Sequence, residues 1–363
     1  MASRFSSSTL PPETTLRIIT CNVRFDGLSS HPVPIPPNGT IQSPRRHWTL
    51  EDPYKERPWA ERRSRLVDAL WFWGADVIGF QEVLHNQLRD IQSLLGPRWT
   101  YVGVGRDDGQ KGGEYSRSST IREERFEKIS WGTKWLSKHP DEPGSKDWDA
   151  AQTRIATFLT LYDKSSTSTT RTASDLIHLV NTHYDDQGKK SRGRASWIIR
   201  ELMNGWVRMI EAELDTEKAG ETERGARDAP TDDPREEGYT HAISRDPLPH
   251  SKGDDMYFLD TRLILNRRQN KHTKGRMSAP YGHKGTYTGF THPGCEVDDP
   301  IDLVLLAKDE NLMGVHAEDI RGGWEVERYG VIDNVIGGKG DETGWVGRWS
   351  DHRAVGVELR KRT

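Results

Sequence analysis

At 363 residues and a formal net charge of −3, the chain is long enough to bury a full core and lacks the global basic field that holds nucleic acid non-specifically. Its two cysteines, Cys21 and Cys295, are far apart, which excludes a disulfide scaffold or a zinc-type cluster and suits a reducing interior. The opening MASRFSSSTLPPETT has no apolar signal core, and no run approaches the roughly 18 apolar residues of a membrane span, so the expectation is a monomeric cytoplasmic or nuclear protein without a membrane segment.

Residues 1–15 read as a disordered tail rich in Ser, Thr and Pro. LRIITCN, ending at Asn22, reads as a short apolar strand, and a Pro-rich insertion follows over about 24–58. AERRSRLVDALWFWG places Leu66, Ala69, Leu70 and Trp73 at helical spacing with Gly74 as the stop, and DVIGFQEV is then a buried strand. A second helix covers His85 to Leu95. WTYVGVG, KISWGTKWLS, RIATFLTLYD and DLIHLVNTH read as successive strands, and Ser191 to about Leu214 as a helix. An acidic insertion over about 211–238 has the composition of a solvated or disordered segment. GTYTGF, PIDLVLLA, WEVERYGVIDN and AVGVELR restore strand character. With no internal repeat and no linker, the pattern is one layered α/β (α+β) domain over 16–360.

Polar residues recur at or beside the ends of these apolar strands: Asn22, Glu82, His183 and Asp302, with Asp351 and His352 in WSDHRAV near the C-terminus. Singly, each has a structural explanation, as a turn cap, a solvated acid or a locally bonded histidine. Together they form a set, because strand ends in layered α/β proteins converge on one rim. Asn and carboxylate oxygens are hard ligands suited to Mg²⁺ or Mn²⁺, and a histidine bonded to a carboxylate can take a proton from an attacking water. The set therefore fits metal-assisted phosphoryl chemistry.

The ordered motifs CNVRFD (Cys21 to Asp26), GFQEV (Gly79 to Val83), RIAT (Arg154 to Thr157), NTHYDDQG (Asn181 to Gly188), PIDLVLL (Pro300 to Leu306) and WSDHRAV resemble those of the endonuclease/exonuclease/phosphatase superfamily, the deoxyribonuclease I-like group. The resemblance spans almost the whole chain and implies a four-layer α/β sandwich, two central sheets packed face to face between helices. It implies Glu82 as the principal metal ligand, with Asn22 and Asp351 close to the metal or its waters. His352 takes the catalytic position, oriented by Asp302. His183 matches a second histidine on the scissile phosphate, and Arg154 a phosphate-side or structural arginine.

Two stretches depart from the pattern. The apolar strand ending in Gly-Asp-Phe-Asn, expected between NTHYDDQG and GTYTGF, is missing, and the nearest acids, Asp232 and Asp233, follow no apolar strand. After Glu114-Tyr115 the sequence SRSSTIREERFE has Arg, Ser and Thr where relatives carry an apolar strand, so a poorly filled central position is expected. GVGRDDGQKGGEY, with Arg106, Lys111 and Glu114, reads as a surface loop and not a P-loop. GKKSRGR, Gly188 to Arg194, is either a phosphate-attracting patch or an ordinary helix start. The expected activity is hydrolysis of a phosphodiester or phosphomonoester, in a phosphorylated small molecule or nucleic acid, by a metal-assisted water. The alternative is a degraded relative that binds a phosphorylated ligand or a protein partner.

Overall fold

The computed structural model describes residues 15–27, 53–114, 119–166, 172–214, 242–243, 256–265, 268–269, 276–277, 280–297, 299–308, 323–337 and 345–361. The acidic tract beyond 214 and Asp232 and Asp233 lie outside them. In chain order the strands are β1 (Thr15–Asn22), β2 (Val77–Gln81), β3 (Trp99–Val102), β4 (Ser119–Arg122), β5 (Phe126–Trp135), β6 (Ile155–Asp163), β7 (Leu176–Thr182) and β8 (Phe258–Asp260). There follow β9 (Arg268–Gln269), β10 (Arg276–Met277), β11 (Tyr281–Gly282), β12 (Leu305–Ala307), β13 (Trp324–Ile332), β14 (Val335–Ile336), β15 (Gly347–Arg348) and β16 (Ala354–Lys361). Three long helices are α1 (Trp59–Phe72), α2 (His85–Leu95) and α3 (Lys189–Leu214).

A seven-stranded sheet runs β11-β13-β16-β1-β2-β4-β3, with β1 parallel to β2 and antiparallel to β16. The parallel pair is a strand, helix, strand crossover through α1. Alternation along β1 and β2 decides what each face meets. Ile19, Cys21, Ile78 and Phe80 point into a core shared with Leu66 and Leu70 of α1 and Leu88 and Ile91 of α2. Leu16 and Val77 point the other way, into a core with Leu159 and Leu161 of β6 and Ile177 of β7.

The second layer of strands is the three-stranded sheet β5-β6-β7, with β8 paired to β12 nearby. β6 is buried along eight of its nine residues because both of its faces are covered, Leu159 and Leu161 by the larger sheet and Ala156 and Phe158 by α3. The order is helices, sheet, sheet, helix, a mixed α/β sandwich of four layers. No helix among the described residues is long and apolar enough to cross a membrane.

Two expectations are corrected. The stretch SRSSTIREERFE does supply a strand: β4 pairs with both β2 and β3, its Thr120 and Ile121 buried. GTYTGF forms no strand and makes one isolated bridge, Tyr287 to His352, because its threonines are used to hold the site loops. The basic cluster GKKSRGR is the start of α3, where the backbone N–H groups of Lys190 and Ser191 donate to the Asp149 carboxylate at 3.1 and 2.7 Å. Glu114 accepts from Arg106 Nη1 at 2.9 Å within its loop.

Candidate active site

β1, β2 and β7 all end at one rim, and the residues at or just past those ends meet there. Asn22, the last residue of β1, is buried, and its Nδ2 donates to Glu82 Oε1 at 2.9 Å while its Oδ1 accepts from the Arg24 backbone N–H at 2.9 Å. Glu82 follows β2 directly and holds a left-handed backbone, φ 59°, as does Arg24, φ 60°. This conformation is costly for residues with a Cβ and clusters at functional sites. It turns the Glu82 carboxylate back over the strand ends. His183, one residue past β7, brings Nε2 to 3.9 Å from Glu82 Oε1.

The second half of the rim comes from the other end of the chain. His352 Nδ1–H donates to Asp302 Oδ2 at 2.8 Å, and the Tyr287 ring stands edge-on to the imidazole with centroids 5.2 Å apart. Thr286 Oγ1 accepts from the backbone N–H groups of Ile301 and Asp302 at 3.1 and 3.0 Å. Ser350 donates to Asn22 O at 2.7 Å, tying this loop to β1, and Thr288 donates its hydroxyl and its N–H to Asp351 O, each at 2.7 Å.

Arg24 bridges the halves. Its guanidinium lies 4.0 Å from Glu82 and 3.9 Å from Asp351, with Glu56 at 3.2 Å on the far side. Burial works against the Arg24 charge, but Glu56, Asp351 and Glu82 more than offset it and raise its pKa. Burial raises the Asp351 carboxyl above its ordinary range, opposed by His352 and reinforced by Glu82. For His352, burial disfavours the imidazolium, yet Asp302, Asp351 and Glu82 outweigh it and push the pKa up to about 9.

A buried Asp351 facing a second carboxylate is an arrangement that a cation relieves. The hard oxygens of Glu82, Asp351 and Asn22 match Mg²⁺ or Mn²⁺, which bind through one or two carboxylates and keep their remaining positions for water and substrate. Among the described residues, no group of three or more His, Cys, Asp and Glu side chains is arranged to hold a metal ion. A cation held there would rest on Glu82 and Asp351 with Asn22 beside them, leaving its remaining positions to water or substrate.

Arg154 lies behind His183, buried, with Nη1 at 2.8 Å from His183 Nδ1 and Nη2 donating to Asp186 Oδ1 at 3.0 Å. All seven residues singled out from the sequence thus lie in two connected groups at one rim. Chain order alone did not bring out Arg24, Gln81 or Arg62, although the first two sit inside the motifs. Arg62 carried a usable signal: it occupies the apolar stripe of α1, four residues before Leu66. It is fully buried and donates to the backbone carbonyls of Arg57 at 2.8 Å, Val23 at 2.9 Å, Trp349 at 2.9 Å and Arg24 at 3.3 Å. One cation therefore braces both site loops. In the chain position of the missing Gly-Asp-Phe-Asn strand stands β8, ending at Asp260. The Asp260 carboxylate caps the turn that follows, accepting from Arg262 N at 2.8 Å, and no asparagine comes next.

No protein-family model matches the sequence, and no curated protein matches it significantly. Solved structures do. An endonuclease/exonuclease/phosphatase family protein from Bacteroides thetaiotaomicron superposes with a TM-score of 0.62 at 21% identity, covering 96% of this chain and 98% of its own. A second, from Bacteroides vulgatus, gives 0.61 at 20% identity over 96% and 99% of the two chains. A mannosyl-6-phosphatase from Bacteroides thetaiotaomicron gives 0.61 at 22% identity over 95% and 99%. The four layers, the rim of strand ends and these superpositions agree: the chain has the endonuclease/exonuclease/phosphatase fold.

Proposed function

We propose that the chain is a divalent-metal-dependent phosphoesterase that hydrolyses a phosphodiester or phosphomonoester by in-line attack of water. The observation that carries this reading is the meeting of the Asp302–His352 pair with the Glu82 and Asp351 carboxylates at one rim. Glu82 and Asp351, with Asn22 bonded to the former, are the residues that would hold Mg²⁺ or Mn²⁺, which when bound supplies positive charge against the phosphate and leaving oxygens. Asp302 accepts the Nδ1–H of His352, so that in the neutral form of the ring Nε2 is the nitrogen that takes the proton of the attacking water. His183, with Nε2 3.9 Å from Glu82 Oε1, is the residue that would contact the phosphate. The near-neutral net charge favours a small phosphoester over duplex DNA, and a neighbour of the same fold is named a mannosyl-6-phosphatase, so a sugar phosphate belongs among the first substrates tried.

A second reading, a binding protein for a phosphorylated ligand or a protein partner, is favoured by one observation: no Gly-Asp-Phe-Asn segment occurs in the sequence. The test is hydrolysis of a generic phosphodiester, a sugar phosphate, an inositol phosphate and abasic-site DNA with Mg²⁺, Mn²⁺ or EDTA, beside Glu82→Ala and His352→Ala. Metal-dependent turnover lost in both variants supports the enzyme. A folded protein that is stabilised by Mn²⁺ through Glu82 yet turns over none of the panel supports the binding protein.

A further inference from the structure

Building on the phosphoesterase reading, we propose that Arg154 is a positioning residue: it locks His183 in the Nε2–H tautomer and so makes it a hydrogen-bond donor to a phosphoryl oxygen. Arg154 immediately precedes β6, and its Nη1 lies 2.8 Å from His183 Nδ1. A guanidinium has five N–H donors and no acceptor, so at this distance His183 Nδ1 presents its lone pair. The ring hydrogen of the neutral imidazole is then on Nε2, the nitrogen directed toward Glu82.

The guanidinium is built to stay where it is. Nη2 donates to Asp186 at 3.0 Å, and Nε lies 3.5 Å from Asp185. Asp185 is itself anchored by the backbone N–H groups of Gln152, Gln187 and Gly188 at 2.9, 3.1 and 2.7 Å. Across the rim the arrangement is reversed. Asp302 accepts from His352 Nδ1, so that in the neutral form of the ring the lone pair is on Nε2. Each histidine is set by what its Nδ1 meets, a cation for His183 and an anion for His352. The cleft therefore has one imidazole that donates and one that accepts, the pair needed to hold a phosphoryl oxygen and relieve a water of its proton.

The test uses the full chain labelled with ¹⁵N and two-bond ¹H–¹⁵N correlation of the imidazoles near neutral pH, with the His183 signals identified by their loss in His183→Gln. The expected result is a hydrogen-bearing Nε2 and a bare Nδ1 in the wild type. Arg154→Met should release this preference and lower kcat about 10²- to 10³-fold with little change in KM, on the scale of a lost oxyanion donor. Arg154→Lys, which keeps one donor, should restore most of both. A hydrogen on Nδ1 of His183 in the wild type, alone or with one on Nε2, overturns the proposal whether or not any variant folds. So does an Arg154→Met protein that loses activity with the tautomer unchanged. Because the tautomer is read without substrate, an Nε2–H ring in a protein inert toward every phosphoester upholds the lock and removes the phosphoesterase reading instead.

Discussion

Gln81 Nε2 donates to Asn181 Oδ1 at 2.9 Å, and Asn181 Nδ2 donates back to Phe80 O at 3.1 Å, so β2 and β7 are joined across the interface between the two sheets. Glu82 is the next residue after Gln81, and His183 lies two beyond Asn181. The distance between these two site residues is therefore set by a polar clamp inside the sandwich. The chain makes room for it at Gly79, where an added Cβ would meet the Asn181 side chain at 3.0 Å.

Gly79→Ala should accordingly strain the clamp, since Asn181 is bonded on both sides and has no slack. The expected cost is about 1–3 kcal/mol, as for overpacking elsewhere. Urea unfolding reads the stability and kcat reads the site. An alanine variant with an unchanged unfolding midpoint would show that the two sheets are free to part there.

Asp302→Asn keeps the shape of the His352 partner but removes its charge. The pKa of His352, now about 9, should fall because Asp302 leads the effects opposing burial. The expected drop in kcat is on the order of 10²–10⁴-fold, the usual weight of a general base. If kcat is retained, the Asp302 charge is not what fits His352 for proton transfer.

Glu296 Oε1 accepts from two buried arginines, Arg348 Nη2 at 2.5 Å and Arg353 Nη2 at 2.8 Å, which flank Asp351 and His352 in sequence. Partial burial raises the Glu296 pKa, but its backbone bonds and Arg348 prevail and hold it down at about 2. A folded pKa below the unfolded value of about 4.3 means stabilisation that is complete above that pH and is lost as pH falls toward 2. Urea midpoints between pH 6 and 2 should fall steeply in the wild type and more shallowly in Glu296→Gln. At pH 7 that substitution should cost on the order of 3 kcal/mol, because it leaves buried Arg348 without its anion and Arg353 with Asp333 alone. Parallel pH curves for the two proteins would count against the ion-pair account.

Arg62→Lys tests the brace between the site loops. Burial lowers the Arg62 pKa to about 10, with Glu56, Asp351 and Asp26 opposing it, so the group stays charged at neutral pH. A single ammonium cannot fork to four carbonyls, and each buried one left bare costs about 1–3 kcal/mol. Both the melting temperature and kcat should decline. Loss of stability with kcat intact would confine Arg62 to a packing role.

Periodicity carried much of this far. Helix α2 runs from His85 to Leu95 as its apolar spacing indicates, and β1, β2, β6 and β7 coincide with apolar runs whose flanking polar residues form the rim. Two- and three-residue strands such as β8 and β11 have no period to detect, and polar β4 is held by its neighbours on both sides, not by its own composition. Contacts such as Ser350 to Asn22, 328 residues apart, depend on tertiary placement that no local pattern encodes. The same holds for Arg154: its motif marked it as phosphate-side or structural, and only the fold puts its guanidinium on His183 Nδ1.

The left-handed backbone at Arg24 and Glu82 sets stability against function at two defined codons. Glycine or asparagine at either position relieves a conformational cost of about 1–3 kcal/mol and removes the charge at the same stroke. A library selected for heat resistance alone should therefore accumulate those residues at 24 and 82, and sequencing its survivors would reveal it. Directed evolution of a hardier form that keeps its chemistry has to hold both codons fixed.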